Sequence, residues 1–307
     1  MNSNDSAAVG EIDSALVRRL VAAQFPQWAD RPVHPVSSQG WDNRTFRLGN
    51  DMSVRLPSHR RYVAAVEKEH AWLPRLAPHL PLPIPAPLAI GAPGEGYAWP
   101  WSVNRWLVGD AAAAAPIDDR RQFAADLAAF LSALQRIDAS EGPLAGSHSF
   151  WRGGPLATYD DETRRSIAAL GASIDTDAAS EVWDAALAAA WRGPPVWVHG
   201  DVAPGNLLVS DGGLSGVIDF GQACVGDPAC DLAIAWTFFE GESRAALRAG
   251  LPLDPATWAR ARGWTLWKAL IVLAGLPGAN PAGAAESQRI IGHVIADHRN
   301  ATQGARP

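Results

Sequence analysis

Val198-His199-Gly200-Asp201-Val202-Ala203-Pro204-Gly205-Asn206 and, 13 residues after Asn206, Asp219-Phe220-Gly221 are the densest polar signal in this chain of 307 residues. Asp201 follows the β-branched and aromatic run Val196-Trp197-Val198 and precedes a Pro-Gly loop, so it should stand at a strand end. Asn206 closes that loop. Leu207-Leu208-Val209, the turn at Asp211-Gly212-Gly213 and Gly216-Val217-Ile218 read as a hairpin that returns Asp219 to the same end. Three polar side chains can therefore converge on one point. Phosphoryl transfer needs such a set: a carboxylate that orients an acceptor hydroxyl, and two oxygen ligands for Mg²⁺ on nucleotide phosphates.

Outward from this island the chain divides in two. Before it, residues 12–25 read as a helix with Ile12, Leu16, Leu20 and Val21 on one stripe. Short strand runs at 45–48 and 52–56 flank Gly49-Asn50-Asp51, and a helix is predicted over 62–75, with Pro74 marking its end or a kink. Pro81, Pro83, Pro85 and Pro87 make a stiff connector. A second hairpin is expected from 87–90 through a turn at 91–96 to 97–107. Beyond Gly109 the pattern turns helical: Phe123, Leu127, Phe130, Leu131 and Leu134 keep one face, and 179–191, 228–239 and 257–274 are further helix candidates. The expectation is an α+β fold with a strand-rich N-lobe (1–107), a hinge near 105–110 and a mainly helical C-lobe (108–307).

Composition removes several classes. There are 26 basic and 32 acidic residues, net −6, without basic runs, so neither nucleic acid nor a membrane surface is an expected partner. Of the 26 basic residues only Lys68 and Lys268 are lysines, and no G-x-x-x-x-G-K-[ST] exists, which excludes a P-loop nucleotidase. No stretch is long and apolar enough to span a bilayer, and residues 1–11 are too polar for a signal peptide. Cys224 and Cys230 are too few for a disulfide framework or a zinc site and read as small core residues, so a cytoplasmic location is expected. Gly213-Leu214-Ser215-Gly216 is not a hydrolase elbow, and the eight histidines are scattered.

The pattern H-x-D-x-x-x-x-N followed by D-F-G resembles the catalytic and metal loops of kinases, but Gly200 stands where protein kinases carry arginine. His199-Gly200-Asp201, Pro204-Gly205-Asn206 and Gly226-Asp227-Pro228-Ala229-Cys230-Asp231 look like the aminoglycoside phosphotransferase family, which also holds macrolide phosphotransferases and other small-molecule kinases. The resemblance spans roughly residues 35–275. It implies a protein-kinase-like bilobal fold with an antiparallel-sheet N-lobe, ATP or GTP as cosubstrate, and a hydroxylated small molecule as the other partner. On the matching positions, Asp201 is the catalytic aspartate and Asn206 with Asp219 hold Mg²⁺. His199 supports the loop, and Asp231, near a helix start, holds it through backbone N–H groups. The superfamily's phosphate-binding lysine is replaced by Arg55, with Glu69 as its partner; alternatively Arg55 is a surface charge and another group binds phosphate. Lys68 reads as a solvated helix residue. Gly40, in the turn Ser37-Ser38-Gln39-Gly40-Trp41-Asp42-Asn43, fits a loop over the phosphates. The backbone of Arg105 and Leu107 would meet the purine edge, so side chains there do not distinguish ATP from GTP. Loss of Asp201, Asn206 or Asp219 would mark a nucleotide-binding pseudokinase; all three are intact.

Two signals bear on the acceptor. Residues 1–107 carry 11 basic and 9 acidic groups, and residues 108–307 carry 15 and 23. The acidic lobe would attract a cation, with Asp160 and Glu240 as candidate contacts for amino groups. Against this, 14 tryptophans include Trp236, Trp258, Trp264 and Trp267 in the last third of the chain. Trp236 and Trp267 could wall a larger apolar acceptor, although Trp264, Trp267 and Leu270 keep core spacing. An aminoglycoside is the first expectation, a macrolide or other small metabolite the alternative.

Overall fold

The structure, a computed structural model, describes residues 11–36, 40–275 and 281–303. In the N-lobe, β1 (Val33–Pro35), β2 (Asn43–Leu48), β3 (Met52–Pro57), β4 (Pro87–Gly91) and β5 (Trp101–Arg105) form an antiparallel sheet in the order β1-β2-β3-β5-β4. The helix α1 (Ser14–Gln24) begins where the Asp13 side chain accepts the Leu16 N–H, and its stripe Leu16, Val17, Leu20 and Val21 covers the sheet core of Phe46, Leu48, Val54 and Trp101. Each such fully buried aliphatic side chain contributes about 1.5–3 kcal/mol. β3 is the central strand, and α2 (Ala64–Leu76) crosses behind it with Val66, Glu69, Leu73 and Leu76 inward. Pro74 lies inside the last turn of α2 rather than ending it. The fifth strand starts at Trp101, not at 97. Residues 92–97 instead form a small hooked turn, held by reciprocal bonds of 2.8 and 2.7 Å between Gln24 and Ala92 and by the Gly94–Tyr97 bridge.

The chain leaves β5 at Arg105 and enters the C-lobe through β6 (Asp110–Ala111), which pairs with the hairpin β8 (Leu207–Ser210) and β9 (Gly213–Val217). Between them lie α3 (Arg120–Arg136), α4 (Asp160–Leu170), α5 (Thr176–Ala188) and β7 (Val196–Val198). β7 pairs with β10 (Cys224–Gly226), not with the hairpin, so the two catalytic loops emerge from neighbouring ladders. The remaining helices are α6 (Ile234–Thr237), α7 (Gly241–Gly250), α8 (Pro255–Leu273) and α9 (Pro281–Gln303). The helix expected over 228–239 is instead a 3₁₀ segment, Pro228–Ala233, followed by the single turn of α6. The reason is local: Asp227 caps Ala229 and holds Arg260, while Asp231 turns back to the catalytic loop. The C-lobe core packs α3, α5, α6 and α8 around Trp183, Trp197, Trp236 and Phe220. Both cysteines are buried and free. No helix among the described residues is long and apolar enough to cross a membrane.

Candidate active site

The loop after β7 is built from the inside. Asp231, 1% exposed, accepts the His199 N–H at 2.8 Å and the Gly200 N–H at 2.7 Å, one on each carboxylate oxygen. Burial pushes this carboxyl up, and the two amide hydrogen bonds pull it back. The His199 Nδ1 accepts the Asp201 N–H at 3.2 Å, so Nε2 carries the proton and donates to the Ile218 carbonyl at 3.0 Å. One neutral imidazole thus fixes the distance between the Asp201 loop and the strand end bearing Asp219. Gly200 has φ +83°, and a Cβ there would lie 2.7 Å from the Gln222 carbonyl oxygen, so glycine is required. This explains the residue that separates the motif from that of protein kinases. Asn206 donates its amide to the Asp201 carbonyl at 2.9 Å and reaches the Asp201 carboxylate at 3.4 Å, leaving its oxygen as the ligand atom.

Asp219 adopts a left-handed φ of 67°, a conformation Asp tolerates better than most residues and one that costs about 1–3 kcal/mol. Arg55 reaches it across the lobes: Nη2 donates to Asp219 at 3.0 Å, and Nη1 forks to Glu69 at 3.2 and 3.1 Å. Burial alone would lower the guanidinium pKa, but the Glu69 and Asp219 carboxylates carry it above its usual range. A surface charge it is not. Its neighbour Lys68 is not solvated either. The α2 face carrying Lys68 is covered by the C-lobe loop 146–154, where its ammonium meets the His148 ring at 3.1 Å and the His148 carbonyl at 3.3 Å. Burial lowers Lys68 to about 8.

Between the lobes lies a cleft of about 430 Å³. Gly40, Arg55, Arg105, Leu107, Asn206 and Asp219 all line it, whereas Glu69 lies behind Arg55 and outside the lining. Ser37, Ser38 and Gln39 of the preceding turn lie outside the described residues. The Arg105 N–H is committed to Ala86 at 2.8 Å. Asp42 was not expected here. Burial and the nearby Asp219 and Asp201 carboxylates raise it to about 6, against a Tyr62 hydrogen bond. No sequence pattern distinguishes it from an ordinary turn aspartate. Asn206 and Asp219 supply hard oxygen donors to one cavity, which fits Mg²⁺. Among the described residues no group of three or more His, Cys, Asp or Glu could hold a metal ion.

The acceptor residues chosen from sequence fare differently. Trp236 is completely buried in the core. The Asp160 carboxylate is engaged by the Trp183 N–H at 2.7 Å and by Arg164 at 2.8 Å. Glu240 heads α7, facing Arg244, Arg289 and His293. Trp267 is buried too, 5% exposed, as its core spacing implied: it donates to Glu162 at 2.8 Å and packs on Tyr159 at 4.0 Å between ring centres. Lys268 beside it senses the Asp201 charge. Arg152 lies over this platform, 4.6 Å from the Trp267 ring and 5.3 Å from Trp264. The two residues before it, Phe150 and Trp151, both have left-handed φ (48° and 56°), a strain of about 1–3 kcal/mol each. Bonds from Tyr159 to the Phe150 carbonyl at 2.6 Å and from Cys224 to the Arg152 carbonyl at 3.0 Å hold that strained loop.

Comparison with known proteins agrees with this geometry. No curated protein matches the sequence. Among solved structures, the GDP and kanamycin complex of APH(2")-IIIa superposes with a TM-score of 0.73 at 19% identity, covering 92% of this chain and 98% of that one. A thermostable mutant of aminoglycoside phosphotransferase APH(4)-Ia gives 0.64 at 20% identity, with coverage of 92% and 99%. The macrolide 2'-phosphotransferase MphH from Brachybacterium faecium gives 0.58 at 22% identity, with 91% and 97%. These likenesses establish the kinase-like bilobal fold. The family model that matches, over residues 33–264, covers both lobes and every motif residue above, and by that match the chain belongs to the phosphotransferase enzyme family.

Proposed function

We propose that this protein transfers the γ-phosphoryl group of ATP or GTP to a hydroxyl of a small molecule. The observation that carries the reading is that Asn206 and Asp219 line a cleft backed by the interlobe hinge, with the Asp201 carboxylate 3.4 Å from the Asn206 amide. Asp201 accepts the acceptor hydroxyl's proton and aims its oxygen at the phosphorus. Asn206 restrains the Asp201 carboxylate, and the Asp231–His199 pair holds the loop rigid, so little reorganisation remains at the moment of transfer. Asn206 and Asp219 would hold Mg²⁺, which when bound neutralises charge on the phosphates. Arg55 sits between Glu69 and Asp219, where it can offer a guanidinium N–H to phosphate. The Arg105 carbonyl and Leu107 N–H would meet the purine edge.

Relatives of this fold include enzymes solved with kanamycin, streptomycin and gentamicin, and a macrolide phosphotransferase. An aminoglycoside acceptor is the reading they favour by kinship. Of the carboxylates expected to serve it, Asp160 is engaged by Trp183 and Arg164, and Glu240 stands exposed at the head of α7. For the reaction itself, Asp201→Asn should lower turnover by about 10²–10⁴ while calorimetric nucleotide affinity stays within about twofold. Undiminished phosphate transfer by that variant would remove Asp201 from the mechanism.

A further inference from the structure

The two carboxylates on Arg55 are not equivalent. Glu69 receives Nη1 on both of its oxygens, at 3.2 and 3.1 Å, and its side chain is only 8% exposed. Asp219 receives Nη2 on one oxygen at 3.0 Å, is 28% exposed and lines the interlobe cleft. Losing its cation would strand Glu69 in the interior, whereas Asp219 can turn to solvent or to a ligand. The Glu69 contact is therefore the fixed one, and the Asp219 contact is the one open to exchange.

Asp219 is also, with Asn206, one of the two oxygen donors that suit a divalent cation, and the fold gives its charge to a guanidinium. A divalent cation arriving alone, even on the second carboxylate oxygen, would share one negative charge with Arg55. Like charges that close repel strongly in a site partly shielded from water. Nucleotide phosphates remove the conflict, because they carry negative charge for both cations and accept guanidinium N–H groups directly. Arg55 lines the same cavity as Asp219, so its Nη2 is within a ligand's reach while Nη1 stays on Glu69. Only a planar fork can divide itself in this way. A lysine's ammonium, once settled on Glu69, would leave Asp219 open to a metal at all times.

We propose that Arg55 guards the metal site: its Nη2 holds Asp219 until nucleotide phosphates draw it away, so the divalent cation binds in company with phosphates and not alone. This rests on the phosphotransferase reading above, which supplies the nucleotide and the metal donors. No covalent bond changes. Asp219 exchanges a guanidinium for a metal ion, and Arg55 exchanges one carboxylate for a phosphate while keeping the other. Metal and nucleotide then raise each other's affinity by one common factor, expected at about tenfold or more.

The test uses the full chain with Mn²⁺ as the probe of this oxygen site, free Mn²⁺ being read by electron paramagnetic resonance. Without nucleotide, Arg55→Lys should bind Mn²⁺ about tenfold more tightly than the wild type, although the positive charge is kept. Adding Asp219→Asn to Arg55→Lys should abolish that gain. Calorimetry of ATP with and without Mg²⁺ should show a smaller benefit from the metal in Arg55→Lys than in the wild type. In the unaltered chain, the Arg55 guanidinium resonances should hold still with millimolar Mg²⁺ alone and move when Mg²⁺ and ADP are added together. Equal Mn²⁺ affinity in the wild type and Arg55→Lys, or a gain that survives Asp219→Asn, overturns the proposal; Mg²⁺–ATP binding then leaves the kinase reading intact. Resonances that move as far with Mg²⁺ alone overturn it too, and decide the question if Arg55→Lys does not fold. Absence of Mg²⁺–ATP binding overturns the kinase reading and this proposal together.

Discussion

Arg55 and Arg152 lie in opposite lobes and are balanced in opposite ways. Arg55 lies on the central strand of the N-lobe, 14% exposed, with Glu69 on one side and Asp219 on the other. Arg152 lies on a strained C-lobe loop against two indole rings, with no carboxylate partner. A cation already answered by the fold contributes to architecture, and a ligand must share it with its partners. A cation left unanswered contributes little to stability.

The sharpest way to break this contrast is to remove the answered charge. Arg55→Ala strands Glu69 in the interior and should cost about 3–5 kcal/mol in urea unfolding. Arg55→Lys, which cannot fork to both carboxylates, should recover part of that loss; full recovery would mean that charge alone, not the planar fork, joins the lobes. Next in size is Asp231→Asn, which leaves one of the His199 and Gly200 amides without an acceptor. It should cost about 1–3 kcal/mol and lower turnover more than nucleotide affinity. Asp42→Asn should act with the opposite sign. Its carboxyl is raised to about 6 by burial and its acidic neighbours, so the folded state holds this proton more tightly than the unfolded chain does. Its stabilising contribution is fully present below pH ~4 and is lost as pH rises through about 6. The amide should therefore add about 1 kcal/mol at pH 7–8, discounted for partial solvent contact, and nothing near pH 4; a gain that persisted at pH 4 would show that charge is not the cause.

Much of the catalytic loop was legible because its partners are close in sequence. Asp201 and Asn206 are five residues apart and bond directly, and Asp219 returns by a tight hairpin whose turn residues are plain. The Glu69 pairing was legible through the resemblance, which places a glutamate on the helix after the phosphate-binding strand cation. What escaped the sequence lies at long range. Lys68 looked solvated because nothing near it in the chain marks the loop 80 residues on that covers it. Asp160 looked available for a substrate, but Trp183, 23 residues later, takes its carboxylate. The segment over 228–239 had helical spacing, yet the tertiary bonds of Asp227 and Asp231 set its tighter winding. Arg152 was invisible for the same reason: its surroundings come from α8, more than a hundred residues away.

The β7–β10 ladder ties these parts together. β7 leads into the catalytic loop, β10 follows the loop of Asp219, and the flanks of the Arg152 loop are fastened to the same ladder: Ala145 donates to Val225 at 3.0 Å and Asp227 to Gly153 at 2.8 Å. The backbones meet so closely that a Cβ on Gly226 would lie 2.2 Å from the Gly153 carbonyl oxygen. The Arg152 loop and the catalytic strands are a single mechanical module. Inserting or deleting residues between 145 and 153 therefore shifts the catalytic strands with them.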